Sequence, residues 1–240
     1  MNANIKTAIS RSVSTEQTPM SSLRKISLAA GILYLLTFVS IPTLVLYGPV
    51  HEPNYILGTS SDNLVILGGI MEIIVALAGI ATAVVLYPVL RKQNESAALG
   101  LVGSRVLEAS TMFVGVAFIL SAVTLRHSNS GAGALPLSHA LVTLYDRIFL
   151  LGQSFMPALN DLLLGFLLYQ SRLVPRGISL IGIVGGPILL IGYFAILFGL
   201  IGQHAPLTGL FAIPVALFEF SLGIYLVVSG FKPSPISAGK

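Results

Sequence analysis

From Ile26 to Tyr47 the chain carries no charged side chain, and five further apolar stretches follow it. They run from about Leu64 to Leu90, Ala98 to Leu125, Leu135 to Tyr169, Ile178 to Ile201 and Gly209 to Gly230. About 20 apolar residues, rising about 1.5 Å each as a helix, match the roughly 30 Å hydrocarbon core of a bilayer. Backbone polar groups find no water there, so each stretch must satisfy its own hydrogen bonds, and helices do so. The composition agrees: 55% of the residues are hydrophobic and 9% charged, where a soluble domain is about a quarter charged. The fold class that follows is all-α, a polytopic transmembrane helical bundle of about six spans.

Residues 1–22 are polar and rich in Ser and Thr, and read as a disordered cytoplasmic tail. Residues 23–230 read as a single transmembrane helical domain, and 231–240, with two prolines, as a flexible cytoplasmic tail. Arg24 and Lys25 precede an apolar run too long for a secretory signal, so the first stretch reads as an uncleaved span. The loop from Tyr47 to Tyr55, aromatic at both ends and containing Pro49 and Pro53, fits either a cap over the bundle mouth or a rigid turn.

Only the fourth stretch is too long for one straight crossing, at about 50 Å as a helix. Gly152 and Pro157 mark a kink or a break. Upstream, Leu137, Leu141, Leu144, Tyr145 and Ile148 share one helical face, so the crossing helix is either long and kinked or preceded by an amphipathic helix.

Six spans with the N-terminus inside place Lys6, Arg11, Arg24, Lys25, Arg91, Lys92, Arg172, Arg176, Lys232 and Lys240 on the cytoplasmic side, and only Arg126 in the outer connections. Basic residues concentrate in cytoplasmic loops, so both termini are expected in the cytoplasm. The same bias accounts for the net charge of +4 without a nucleic-acid partner. The lipid bilayer is the expected partner, alongside a small solute or ion or a second membrane protein.

The chain has no cysteine, which removes disulfides, iron–sulfur clusters, thiolate zinc sites and cysteine nucleophiles. His51, His127, His139 and His204 all fall at outer loops or span ends. With Glu52 and Asp62 they can be drawn into a metal site, but no pair has helical ligand spacing, so no metal and no cofactor is expected. None lies mid-span, where two would be needed to ligate a membrane haem. H-E-x-x-H, G-x-S-x-G and P-loop patterns are missing as well, and an enzyme is not expected. Gly182, Gly185 and Gly186, in a span without acidic or basic side chains, read as a close helix contact.

The informative residues are the charges inside spans. A lone charge facing lipid costs about 2.5–3.5 kcal/mol or more, so these side chains must turn inward and meet. Glu108, Asp161 and Glu219 lie near the middle of their spans, Arg105 a turn from Glu108, and Glu72 nearer the outer end. Arg105 and Glu108 are three apart and share a helix face. Asn160 adds an amide beside Asp161, and Asp146 with Arg147 form a secondary pair toward the outer side. The acids outnumber the arginines, so a proton, a bound cation or water must balance the remainder.

Several segments resemble a bacterial integral membrane family catalogued as domain of unknown function 4386. They are Ala30–Phe38, Leu46–Val50, Asn54–Gly58, Ala83–Arg91, Ser104–Glu108 and Leu173–Arg176, in that order along residues 24–233. The resemblance implies a multi-span bacterial inner-membrane protein and transfers no activity or catalytic residue. Two functions are therefore expected from the residues: a pathway or site for a proton, cation or small polar solute built on Glu72, Arg105, Glu108, Asn160, Asp161 and Glu219, or a membrane scaffold or accessory subunit in which the same charges fix helix packing.

Overall fold

The structure is a computed structural model that describes residues 21–128 and 131–233. The first 20 residues and the last seven, with Lys6, Arg11 and Lys240, lie outside the described residues. Eight α-helices form among the described residues: α1 Ser22–Thr37, a short α2 Thr43–Leu46, α3 Asp62–Leu90, α4 Glu95–His127, α5 Leu135–Leu150, α6 Met156–Ser171, α7 Arg176–Leu197 and α8 Pro206–Val228. No strand occurs among the described residues. Among the described residues, six helical segments are long and apolar enough to cross a membrane: 22–40, α3, α4, the unit 132–171, α7 and α8.

The helix ends follow local chemistry. The Asn94 side chain accepts from the Ala97 amide and Glu95 opens the first turn of α4, both favourable at the positive end of a helix dipole. At the opposite pole Arg24 donates to the last carbonyls of α8, 2.9 Å to Leu226 O, which satisfies groups that helix geometry leaves unpaired.

Consecutive spans pack side by side, and the ring closes where α1 lies against both α3 and α8. Around the ring the order is α1, α3, α4, α6, α7, α8, with α5 alongside α4. One end of this bundle carries Arg24, Arg91, Arg172 and Arg176 and is called the basic end. The other carries His51, His127, His139 and His204 and is called the histidine end. Large apolar side chains such as Ile32, Ile70, Leu77, Val184 and Leu217 point outward, while Glu72, Arg105, Glu108, Asn160 and Asp161 are buried. That inversion of a soluble core is what hydrocarbon surroundings require.

Two expectations need correction. The first span does not continue to Tyr47: α1 ends at Thr37, a 3-10 turn covers Phe38–Ser40, and the chain bends at Pro42 into α2. Pro42 supplies no amide hydrogen, and the Thr37, Ser40 and Thr43 hydroxyls donate back to carbonyls three residues earlier, loosening the last turns. In α5, Tyr145 turns inward as expected, but Leu137 and Leu144 are exposed and the buried face is Ser138, Val142 and Tyr145. Lipid rather than water flanks the bundle, so an apolar outward face carries no penalty.

The fourth span is the long kinked unit the sequence allowed. α5 and α6 join through a π-helical turn at Leu151–Phe155. Pro157 lacks the amide hydrogen that would bond to the Gln153 carbonyl in an α-helix, which explains why the register slips there. The glycine stripe of α7 serves two neighbours: Gly182 lies under the Phe218 ring of α8, and a Cβ on Gly186 would stand 2.6 Å from the Ala158 carbonyl of α6. At the histidine end the loop after α2 is packed down, with Tyr47, Val50 and Tyr55 buried. Arg126 holds it, reaching Asp62 at 2.6 Å and stacking 5.0 Å above the Tyr55 ring.

Candidate functional site

The charged interior forms two clusters joined by one side chain. At the centre, Arg105 on α4 donates to Glu108 Oε2 at 3.0 Å and to Glu219 Oε1 of α8 at 2.7 Å. The first contact follows from three-residue spacing on one helix. The second exists because the ring brings α8 across from α4. Asn160 of α6 donates its amide to Glu108 Oε2 at 2.8 Å, and the Arg105 guanidinium lies 5.7 Å above the Tyr34 ring of α1. Arg105 is 4% exposed, so these contacts operate at low effective dielectric, where they are strong and costly to break.

Asp161 neighbours this group without joining its hydrogen bonds. It is fully buried, and both its carboxyl oxygens lack a hydrogen-bond partner among the described residues. One guanidinium thus stands among three carboxyl groups.

A cavity of about 240 Å³ adjoins the central cluster. All six spans contribute to its wall: Thr37 from α1, Gly79 from α3, Arg105 and Glu108 from α4, Gln153 from the π-turn, Leu189 from α7 and Glu219 from α8. Its lining includes the exposed residues Ile41 and Ala212, which puts a mouth between the end of α1 and α8.

The second cluster surrounds Glu72, nearer the histidine end. Glu72 Oε1 accepts from the Tyr145 hydroxyl at 2.7 Å and from the Gln153 amide at 2.8 Å, and Oε2 accepts from the Tyr47 hydroxyl at 3.1 Å. Gly68, one turn before Glu72, makes room: a Cβ there would stand 2.6 Å from the Tyr47 ring. Burial, and then the negative charge of Glu72, pushes the Tyr47 phenol well above its ordinary value and keeps it the donor. Gln153 both bonds Glu72 and lines the central cavity, so it connects the two clusters.

The structure therefore brings Arg105, Glu108, Asn160 and Glu219 into contact, places Asp161 beside them and sets Glu72 apart behind Gln153. Asp146 and Arg147 separate: Asp146 meets His51 Nε2 at 3.1 Å, while Arg147 is exposed. Sequence reasoning missed Tyr34, Tyr47, Tyr145 and Gln153. The one available signal was the Gly152 and Pro157 pair around Gln153, which marks the place where the π-turn forms, and such turns are frequent at functional sites.

Six apolar helices, outward apolar faces and an inward-facing set of charges define an α-helical integral membrane protein. The chain matches a family described as a domain of unknown function, DUF4386, over residues 29–230. It belongs to that family. No curated protein and no solved structure matches the chain significantly.

Proposed function

We propose that this is a multi-pass protein of the bacterial inner membrane, with both termini cytoplasmic, that handles a proton, a cation or a small polar solute in its central cavity. The observation that carries the reading is the cavity itself, walled by every span and bordered by one arginine and surplus acids. A site in which all spans converge on unbalanced charge suits a ligand whose own charge completes it. Glu219 is the principal exchanging acid: its side chain is 14% exposed against 5% for Arg105, and among the described residues its one hydrogen bond goes to that arginine. Glu108 and Asp161 share the remaining charge, Asn160 positions Glu108, and Glu72 serves as the next acid toward the histidine end through Gln153. The basic-residue bias supports placing the histidine end outside the cell.

A second reading has its own support. Glu72 accepts three hydrogen bonds with both oxygens engaged, an arrangement suited to locking α3 against α5 and the end of α2. In a scaffold or accessory subunit the central charges would act in the same way and the partner would be another membrane protein.

Proteoliposomes loaded with a pH-sensitive dye distinguish the two. Under an imposed potential, or a Na⁺ or K⁺ gradient, the parent should pass ions faster than empty vesicles. Glu219→Gln should reduce the rate at least tenfold, with smaller reductions for Glu108→Gln and Asp161→Asn. Folded amide variants that match both the parent and empty vesicles would end the transport reading. Co-purification with a stoichiometric partner, with loss of folding in the amide variants, would favour the scaffold.

A further inference from the structure

Next to the Glu72 cluster, with Tyr47 and Tyr145 in its wall, a cavity of about 320 Å³ opens at the histidine end. Three side chains with ligand atoms line it: His51 from the 3-10 turn after α2, Asp146 from α5 and His204 from the connection between α7 and α8. Their ligand atoms all lie within 4.8 Å of one another. The expectation of no metal rested on spacing along single helices, which cannot register residues brought together from three separate segments.

The hydrogen bonding of His51 shows what the cluster lacks. Nδ1 lies 2.8 Å from the Tyr47 carbonyl oxygen, which can only accept, so Nδ1 carries the ring proton. In the neutral ring Nε2 is then a bare lone pair, yet a carboxylate oxygen of Asp146 stands 3.1 Å from it. Two acceptors at that distance repel unless a positive charge lies between them, and that charge is either a second proton or a metal ion. The separation is close to the ligand–ligand edge of tetrahedral Zn²⁺, about 3.3 Å for bonds of about 2.0–2.1 Å. A proton would serve His51 and Asp146 alone. A metal also uses His204, whose ring centre lies 5.6 Å from that of His51, the planes meeting at 71°.

The surroundings resemble the outer shell of a metal site. A backbone carbonyl on the far nitrogen of a ligating histidine fixes its tautomer and aim, and Tyr47 supplies it. The Gln203 amide donates to the Asp146 carbonyl at 3.0 Å, tying the segment that carries His204 to α5. Gln203 Oε1, beside the same cavity, is buried without a hydrogen-bond partner among the described residues, an acceptor that a metal-bound water can satisfy.

We propose that His51, Asp146 and His204 bind a divalent transition-metal ion, Zn²⁺ by ligand type, with a fourth position open to water in the cavity. Two imidazoles, one carboxylate and one free position form a donor set suited to Zn²⁺ rather than to Ca²⁺ or Mg²⁺. His204 is exposed and sits in a connection between helices, so rotation of its side chain closes the remaining distance. The ion would clamp three segments above Tyr47 and Tyr145, the two phenols that hold Glu72. This site does not depend on the central cavity handling anything.

The test uses the full chain in lipid nanodiscs, stripped with chelator, without a histidine tag. Calorimetric titration with ZnCl₂ should show about one ion per chain, with a dissociation constant in the micromolar range or below. Co²⁺ should give the visible absorption of a four-coordinate ion, which in a chain without cysteine cannot come from thiolate ligands. His204→Ala and Asp146→Asn should each weaken Zn²⁺ binding at least tenfold, with melting in chelator equal to that of the parent. His127→Ala and His139→Ala should bind as the parent does. Absence of stoichiometric binding in the parent, undiminished binding in both ligand variants, or loss through His127→Ala instead would overturn the proposal.

Discussion

Arg105→Met is expected to lower the stability of the bundle by about 3–5 kcal/mol, the cost of leaving a buried charge without its partner. Among the described residues the guanidinium is the sole cation in contact with Glu108 and Glu219, which come from helices on different parts of the ring. Its removal strands both carboxylates beside Asp161. SDS-titrated unfolding in mixed micelles measures the loss. The triple variant Arg105→Met, Glu108→Gln, Glu219→Gln leaves none of these charges unpaired, and should recover most of the stability while showing no ion flux. Replacing a whole buried ionic group by neutral residues is often close to neutral, whereas breaking it is not. A triple variant as unstable as the single one would show that Arg105 acts through the packing of its stem rather than its charge.

Glu72→Leu is expected to have the next largest effect, about 3 kcal/mol or more. It leaves the Tyr47 and Tyr145 hydroxyls and the Gln153 amide buried without their acceptor, at about 1–3 kcal/mol for each orphaned group. Glu72→Gln keeps one acceptor oxygen and should cost about 1 kcal/mol, close to the effect of Tyr47→Phe or Tyr145→Phe alone. The consequences should be local. Amide hydrogen exchange across 43–57, the segment that Tyr47 anchors, should accelerate strongly in Glu72→Leu and little in the amide variant. Unchanged exchange there would mean that the hydrogen bonds to Glu72 do not hold this segment down.

The parts of this architecture that were legible in the sequence are those that depend on distance along one helix. Hydrocarbon imposes a minimum apolar length, so the six spans stand out, and three-residue spacing exposes the contact between Arg105 and Glu108. The same rule argues against pairing Asp146 with Arg147, since adjacent residues on a helix point about 100° apart. Glu219 meeting Arg105 was not legible, because that contact depends on how the ring closes. The shell around Glu72 was hidden for two local reasons: the bend at Pro42, which frees Tyr47 to drop over Gly68, and the π-turn, which aims Gln153. His51, Asp146 and His204 were not recognised as a group because two connections and α5 had to be placed before they could meet.

The central claim is that the cavity beside Arg105, Glu108 and Glu219 is open to water. Ala109 lines that cavity and is 2% exposed, while Leu164 is fully buried in the apolar core of the bundle. The chain contributes no native thiol, so a single introduced cysteine reports without background. Ala109→Cys and Leu164→Cys in proteoliposomes should differ sharply toward a small, charged methanethiosulfonate: the first modified within minutes and protected when the cavity is filled, the second inert. Equal inertness of the two thiols in folded protein would mean that the acids lie in a dry interior, and the cavity account would be wrong.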